Sequence, residues 1–380
     1  MNTTLGAVIV LAGVALSTVG IILVLVALVL GFIALFSFLF FEKRQPLALT
    51  RSDKNPVLKP KPEHWWESEA VFNPAAFVHE GRVHLLYRAM GQDGISRIGY
   101  ASSQDGIHFD QRLPYPVYDQ GANFDIPRRS SAYQALSYNT ALYASGGGWG
   151  GVEDPRAVTV EENLYVNFVA FEGWGSIRMA LTSLSLDDFS AGQWHWKKPL
   201  LISPPNQTHK NWVLFPEKIG GRFAILHALT PAVLVEYADS LEDLHEHPIQ
   251  SNNERSGRSG AWDEFVRGAA SPPIKTESGW LLLYHAMKPS ENVGYKVGAM
   301  LLDLQDPSKI LYRSSAPILE PREWYENDWK PGVVYASGAV VFGDDLLVYY
   351  GGGDKYIGVA HANLHSFLHK LTHNQHATLE

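Results

Sequence analysis

The chain has 380 residues, 46% of them hydrophobic and only 18% charged, with 11 Trp, 17 Tyr and 17 Phe, a composition that excludes a largely disordered chain and permits a sizeable core. Its formal net charge of -8, with no long basic run or nucleic-acid motif, excludes nucleic acid as a partner. Cysteine is absent, which removes disulfides, thiolate metal sites and cysteine nucleophiles.

In chain order, a short tail at 1–4 precedes the stretch 5–41, which contains no charged residue. At about 1.5 Å per residue it is longer than the ~30 Å of a bilayer core, so a transmembrane helix and a lipid bilayer partner are expected. The start MNTTLG lacks the positive region of a secretory signal, and the segment reads as an uncleaved anchor. Glu42, Lys43 and Arg44 are the first charges behind it and no Lys or Arg precedes it. This pattern predicts a single-pass membrane protein with the rest of the chain in the cytoplasm. A helical hairpin breaking near Ser17, Thr18 and Gly20 is the rival reading. A polar linker is expected over 42–63.

From 64 to 367 the sequence becomes runs of β-branched and aromatic residues split by Gly, Asp and Asn turns. Five runs share one strand-turn-strand pattern: FNPAAFVHEGRVHLLYR from Phe72, EDPRAVTVEENLYVNFVAF from Glu153, FPEKIGGRFAILH from Phe215, PPIKTESGWLLLYH from Pro272 and SGAVVFGDDLLVYYGGGD from Ser337. Each is followed by a further apolar strand, such as SRIGYASS or YIGVAHAN. Five such units predict an all-β fold, a five-bladed β-propeller, with a β-sandwich as the alternative. A tail is expected over 368–380. His361, His365, His369 and His373 recur every four residues there and are read as a solvated stripe, with no metal expected.

A propeller brings equivalent strand ends around one cavity. The hairpin starts offer Asn73, Asp154, Lys210 and Arg267, and the second-strand ends offer Arg88, His227, His285 and Asp354. Polar endings of this kind in apolar strands are costly to bury without partners, so a shared polar site is expected. The stretch Ser145–Gly151, SGGGWGG, lacks the Gly-Lys-Ser/Thr ending of a nucleotide loop and is read as a loop bordering that site.

The series FNPA with YRA, ASSQDGIHF, GVEDPRAV, KNWVLFPEKIGGRF, PPIKTESGWLLLYHA, GAMLLDLQDPSKILYRS with PILEP, and VYYGGGDKYIGVA resembles glycoside hydrolase family 130, over about residues 70 to 362. That family comprises β-mannoside phosphorylases and related β-mannosidases on a five-bladed propeller. The resemblance implies an enzyme that cleaves a β-mannoside or oligosaccharide with inversion, with Asp154 of EDPR as general acid and its proton passing through a hydroxyl of the mannosyl ring. Inorganic phosphate would be the co-substrate, giving mannose 1-phosphate, and no other cofactor is expected. By the same resemblance Asn73, Arg88 and Asp354 border the sugar, joined by His227, while Tyr284 and Tyr295 offer hydrogen bonds or a stacking face. Lys210, Arg178 and His285 are the phosphate-binding candidates. Arg156 is read as pairing locally with a carboxylate.

The chain departs from the family where His227 is followed by Ala228, where Lys210 is followed by Asn211, and where only Lys197 or Lys198 stands for a further Arg. These differences keep an inverting β-mannosidase open, with Asp263 or Glu264 as the water-activating carboxylate. A non-catalytic glycan-binding propeller is the third alternative.

Overall fold

The computed structural model describes residues 20, 22–33, 35–36, 46–119, 148, 150–172, 177–291 and 294–373. The chain divides into two compact units, 1–46 and 47–380.

In the first unit, residues 22–33 are helical. Among the described residues no helix is long and apolar enough to cross a membrane. The expectation of a transmembrane helix, and with it the single-pass location and the bilayer partner, is therefore corrected; the remainder of 5–41 lies outside the described residues.

The second unit opens with a strand, β1 (Thr50–Arg51), inside the stretch read as a linker. Blade 1 follows as β2 (Ala70–His79), β3 (Arg82–Met90), β4 (Ile95–Ser103) and β5 (Gln111–Arg112). Blade 2 is β6 (Gly150–Val160), β7 (Asn163–Glu172), β8 (Ile177–Ser185) and β9 (Leu200–Leu201). Blade 3 is β10 (Val213–Leu214), β11 (Phe223–Ala228) and β12 (Leu234–Ala238). Blade 4 is β13 (Phe265–Ala269), β14 (Ile274–Thr276), β15 (Gly279–Met287), β16 (Lys296–Leu302) and β17 (Ile310–Arg313). Blade 5 is β18 (Val334–Phe342), β19 (Asp345–Gly352) and β20 (Tyr356–Asn363), and β1 pairs antiparallel with β20 as its outermost strand. Blades 1 and 2 share a sheet through a short parallel pairing of Ile95 and Ser96 with Gly150 and Gly151. Gly151 is required at this seam: its φ is 104°, and a Cβ there would lie 2.1 Å from the Ser96 carbonyl oxygen.

Alternation along the strands fills the seams. On β15, Trp280, Leu282, Tyr284 and Ala286 pack toward blade 3, whereas Leu281 and Leu283 pack toward blade 5. The same division on the other blades yields a buried cluster between each neighbouring pair. A strand buried on both faces reads as a continuous apolar run, which is why LLLY and LLVYY carry no polar alternation. The C-terminal helix Leu364–His373 adds Phe367 and Leu371 to the seam of blades 4 and 5. His369 and His373 stack on its exposed face, their rings 4.3 Å apart.

Three blades repeat one polar triad. In blade 1 Tyr87 donates to Glu67 at 2.8 Å, and Arg112 of the outermost strand bonds Glu67 at 2.6 Å. In blade 4 Tyr284 donates to Asp263 at 2.8 Å, with Arg313 at 2.6 Å from the same carboxylate. In blade 5 Tyr350 donates to Glu326 at 2.9 Å, and Arg51 bonds it at 2.8 and 2.9 Å. Each triad joins the middle strand, the outermost strand and the loop leading into the innermost strand. Arg51 shows that β1 belongs to blade 5 by chemistry as well as by pairing. Removing one partner of a buried ion pair strands the other charge. Arg51→Ala is therefore expected to lower stability to denaturant by about 3 kcal/mol, and Arg51→Lys, which lacks the fork that spans both carboxylate oxygens, to recover only part of it; an unfolding midpoint unchanged in Arg51→Ala would contradict this.

Candidate active site

The innermost strands do not run straight past the axis. Register shifts fall between Phe72 and Pro74, Glu153 and Arg156, Val266 and Gly268, and Ala336 and Gly338. An extra residue at such a bulge turns a side chain out of the ladder. Asn73 (φ 47°) and Asp154 (φ 49°) sit at two of these points, Asn211 (φ 65°) precedes β10, and Asp354 (φ 55°) follows β19. All four have left-handed backbone, which Asn and Asp adopt more readily than other non-glycine residues. Their presence at these positions is thus dictated by backbone geometry as well as by chemistry.

These residues converge on a cavity of about 220 Å³, also lined by Arg88, Lys210, His209, His227, Glu254, Arg255, Arg267, Tyr295, Lys330 and Tyr335. Asp154 lies at its centre of charge. Its Oδ1 accepts from Asn73 at 2.7 Å and from Arg88 at 3.2 Å. Arg88 also bonds the fully buried Glu153 at 2.8 Å and Ser96 at 2.9 Å, and Lys210 reaches Glu153 at 3.2 Å. Gly148 packs against the Arg88 guanidinium, which places this part of the SGGGWGG stretch beside the site; 145–147 and 149 lie outside the described residues. Burial is the largest influence on Asp154 and would raise its pKa, but Arg88, Lys210, Arg156 and the Asn73 hydrogen bond together outweigh it. The carboxyl is held well below the ordinary range and is ionised at neutral pH.

Arg156 is fully buried and acts across the axis. It donates to the Asp154 carbonyl at 2.7 Å, the Asn211 side-chain oxygen at 3.1 Å, the Ala270 carbonyl at 3.0 Å and the Tyr335 hydroxyl at 3.0 Å. These bonds go to four blades and none goes to a carboxylate, in contrast to the expected local ion pair. Tyr335 in turn donates to Asn211. Asp354 is held by Lys330 at 2.9 Å, and His227 bonds Ser251 at 2.8 Å while burial, with His209 second, pushes its imidazole down to about 4.

Of the residues singled out from sequence, Asn73, Arg88, Asp154, Lys210, His227, Tyr295 and Asp354 line this one cavity. Tyr284 faces the seam of blades 3 and 4 as a member of the blade 4 triad. His285 points to the other side of the strand and lies face to face with Tyr335 at 4.1 Å, behind the cavity wall. Burial, followed by the charge of Arg156, keeps His285 neutral. Arg178 turns away and donates to the Ser203 carbonyl at 2.8 Å. Asp263 is fully buried in its triad and reaches no cavity, and Lys197 and Lys198 line a separate cleft of about 80 Å³ with Tyr165 and Glu242. Sequence reasoning missed Asn211, Arg255, Lys330 and Tyr335. Asn211 and Arg255 stand in loops leading into inner strands, where no period marks them; Tyr335 carried a signal, standing two residues before the fifth hairpin.

With this geometry in view, the family model described as beta-1,4-mannooligosaccharide phosphorylase matches residues 142–372. A 1,2-beta-oligomannan phosphorylase from Thermoanaerobacter sp. strain X514 is 36% identical over 326 residues, covering 83% of this chain and 97% of that protein. The chain belongs to glycoside hydrolase family 130. Solved structures of family 130 agree. The beta-1,2-mannobiose phosphorylase of Listeria innocua, in complex with beta-1,2-mannobiose, superposes with a TM-score of 0.62 at 26% identity over 85% of this chain and 99% of that one. A structure from the family's glycoside hydrolases, which target beta-1,2 mannosidic linkages in Candida mannan, gives 0.64 at 25% identity over 84% and 94%. As a family 130 member the chain is a carbohydrate-active enzyme, a glycoside phosphorylase or hydrolase acting on β-mannosides.

Two predictions follow from the charges at the axis. Because the folded pKa of Asp154 lies below its ordinary 3.8, the ionised form adds stability that is complete above about pH 5 and is lost as pH falls below about 4. The stability gap between wild type and Asp154→Asn, read by urea unfolding, should hold constant from about pH 5 to 8 and shrink toward about pH 2; a gap that widened in acid would refute the assignment. Arg156→Lys keeps the charge but not the planar fork, and leaves at least one buried acceptor unpaired. It is expected to cost about 2 kcal/mol or more by the same measurement.

Proposed function

We propose that this chain is an inverting phosphorylase of β-1,2-linked mannosides, with Asp154 as its acid and a cluster of arginines and lysine as its phosphate cradle. One observation carries the phosphate assignment. Arg255 and Arg267 line the same cavity as Asp154, and among the described residues neither forms an ion pair. Burial and then the charge of Arg267 lower the pKa of Arg255, so the two guanidiniums repel each other. A dianion between them relieves that repulsion and offers oxygens suited to guanidinium forks. The 1,2 linkage is supported by the substrates named for the Thermoanaerobacter and Listeria relatives.

The reaction breaks the bond from C1 to the glycosidic oxygen and forms a bond from C1 to a phosphate oxygen on the opposite face. The proton of Asp154 goes to the departing oxygen, through a ring hydroxyl of the bound mannose. The product with inverted configuration is α-mannose 1-phosphate. Asp154 is ionised at neutral pH, so it must gain a proton before it can act. Phosphate bound at Arg255 and Arg267 in the same cavity adds negative charge that offsets the cations depressing its pKa and moves it toward the protonated form. Asn73 and Asp354 hold the sugar, and Lys330 fixes Asp354.

Hydrolysis on the same fold is the second reading, and Glu254 is the observation that favours it. Besides Asp154 and Asp354, it is the carboxylate that lines the cavity among the described residues. Asp263 is withdrawn from that role by its burial. Incubating β-1,2-mannobiose with and without inorganic phosphate separates the two: phosphorolysis gives α-mannose 1-phosphate only with phosphate, and free mannose formed equally without it would sink the proposal. Asp154→Asn should lower kcat by about 10³-fold. Arg267→Ala should raise the KM for phosphate by roughly 30-fold, about 2 kcal/mol of lost charge-assisted hydrogen bonding, while leaving the KM for mannobiose nearly unchanged.

A further inference from the structure

The loops entering the innermost strands and those joining middle to third strands open on the cavity side, because Asn73 and Asp154 lie near inner-strand starts and Arg88 and His227 near middle-strand ends. Two tryptophans in the entering loops are left in solvent. Trp65, ahead of β2, is 64% exposed, and Trp324, ahead of β18, is 58% exposed. Tryptophan is highly buried on average, so two indoles left this exposed stand out.

Both are held in place from behind. The main chain of Trp65 lies so close to the turn after β3 that a Cβ on Gly91 would come within 1.9 Å of its carbonyl oxygen. The Arg97 guanidinium sits over its ring at 4.6 Å and is itself fixed by Asp93 at 2.7 Å and Asp119 at 3.1 Å. Trp324 packs edge-on against Tyr356 at 5.3 Å and Tyr325 at 5.7 Å. Its loop is tied to the turn bearing Asp354 by the hydrogen bond from the Lys330 amide to the Gly353 carbonyl at 2.9 Å. That turn also meets blade 1, since the Val71 amide donates to the Lys355 carbonyl at 3.1 Å. The two indoles therefore stand on the cavity-side loops of neighbouring blades, Trp65 on blade 1 and Trp324 on the face of blade 5 turned toward blade 4.

The cavity itself is small. At about 220 Å³ it falls below the ~300 to 1,000 Å³ typical of clefts that enclose a whole ligand. A chain of sugars with its terminal ring at Asp154 must leave over the rim. Pyranose rings present flat C–H faces that stack on indoles, whereas the rim by Asn252, Asn253 and Glu254 is polar.

We infer that Trp65 and Trp324 form a stacking platform for the outer mannosyl rings of an oligosaccharide, so that the enzyme binds longer β-mannosides more tightly than the disaccharide. The inference rests on the β-mannoside reading of the cavity but not on the use of phosphate. Calorimetric titration of the full chain with β-1,2-mannobiose and β-1,2-mannotetraose tests it. Trp324→Ala and Trp65→Ala should each weaken tetrasaccharide binding about five- to tenfold and leave disaccharide binding within about twofold, the latter also showing that the variants fold. The ratio of kcat/KM between the two lengths should fall in parallel. Equal losses for both lengths, or none for the tetrasaccharide, would overturn the platform. Wild-type binding that ignores chain length overturns it too while leaving phosphorolysis intact, whereas cleavage without phosphate sinks phosphorolysis and leaves the platform standing.

Discussion

The guanidinium of Arg156 is the point on which the site depends. A propeller holds its blades together mainly through apolar seams at some distance from the axis, and near the axis the inner strands present unpaired polar groups to one another. Arg156 satisfies those groups on blades 2, 3, 4 and 5 with one rigid fork. Blade 1 is joined to the same assembly by Asn73 and Arg88 through the Asp154 carboxylate, and Ser337 donates to the Pro74 carbonyl to link blade 5 with blade 1. The side chain that fixes the blades therefore also fixes the backbone of the residue proposed as the acid.

The charge distribution follows from this arrangement. Glu153 and Asp154 are adjacent, both buried, and both matched to Arg88, yet they differ in position. Glu153 is enclosed and serves Arg88 and Lys210, while Asp154 lies on the cavity wall. Arg255 and Arg267, on the same cavity, are the cations outside these ion pairs. In the proposed reading, a bound dianion completes the electrostatics of this site.

Much of the fold was legible because strands buried on both faces leave continuous apolar runs, and tight turns leave Gly, Asp and Asn between them. The converging strand ends were legible for the same reason, since Arg88 and Asp354 interrupt apolar runs at matching places. Tyr284 misled because it stands beside His285 at such an end, and sequence does not tell which seam each of two neighbours will face. Arg255 and Lys330 were invisible because entering loops have no period. β1 is two residues long, Thr50 and Arg51, with no apolar pattern, so only its partner strand reveals it. The uncharged stretch 5–41 was long enough by hydropathy to span a bilayer, but among the described residues no helix is long and apolar enough to cross one.

The pairing of β1 with β20 has a consequence for how the molecule is made. The strand that completes the fifth blade is among the first parts of this unit to leave the ribosome, and its partner is among the last. Until β20 emerges, β1 has no partner strand, and the Arg51 guanidinium has no carboxylate until Glu326 is made. Joining positions 51 and 360 encloses nearly the whole domain in one loop, a contact of very long sequence separation whose closure is slow compared with a local hairpin. Four blades can assemble before β20 is made, but the ring itself is sealed only once β20 has joined β1.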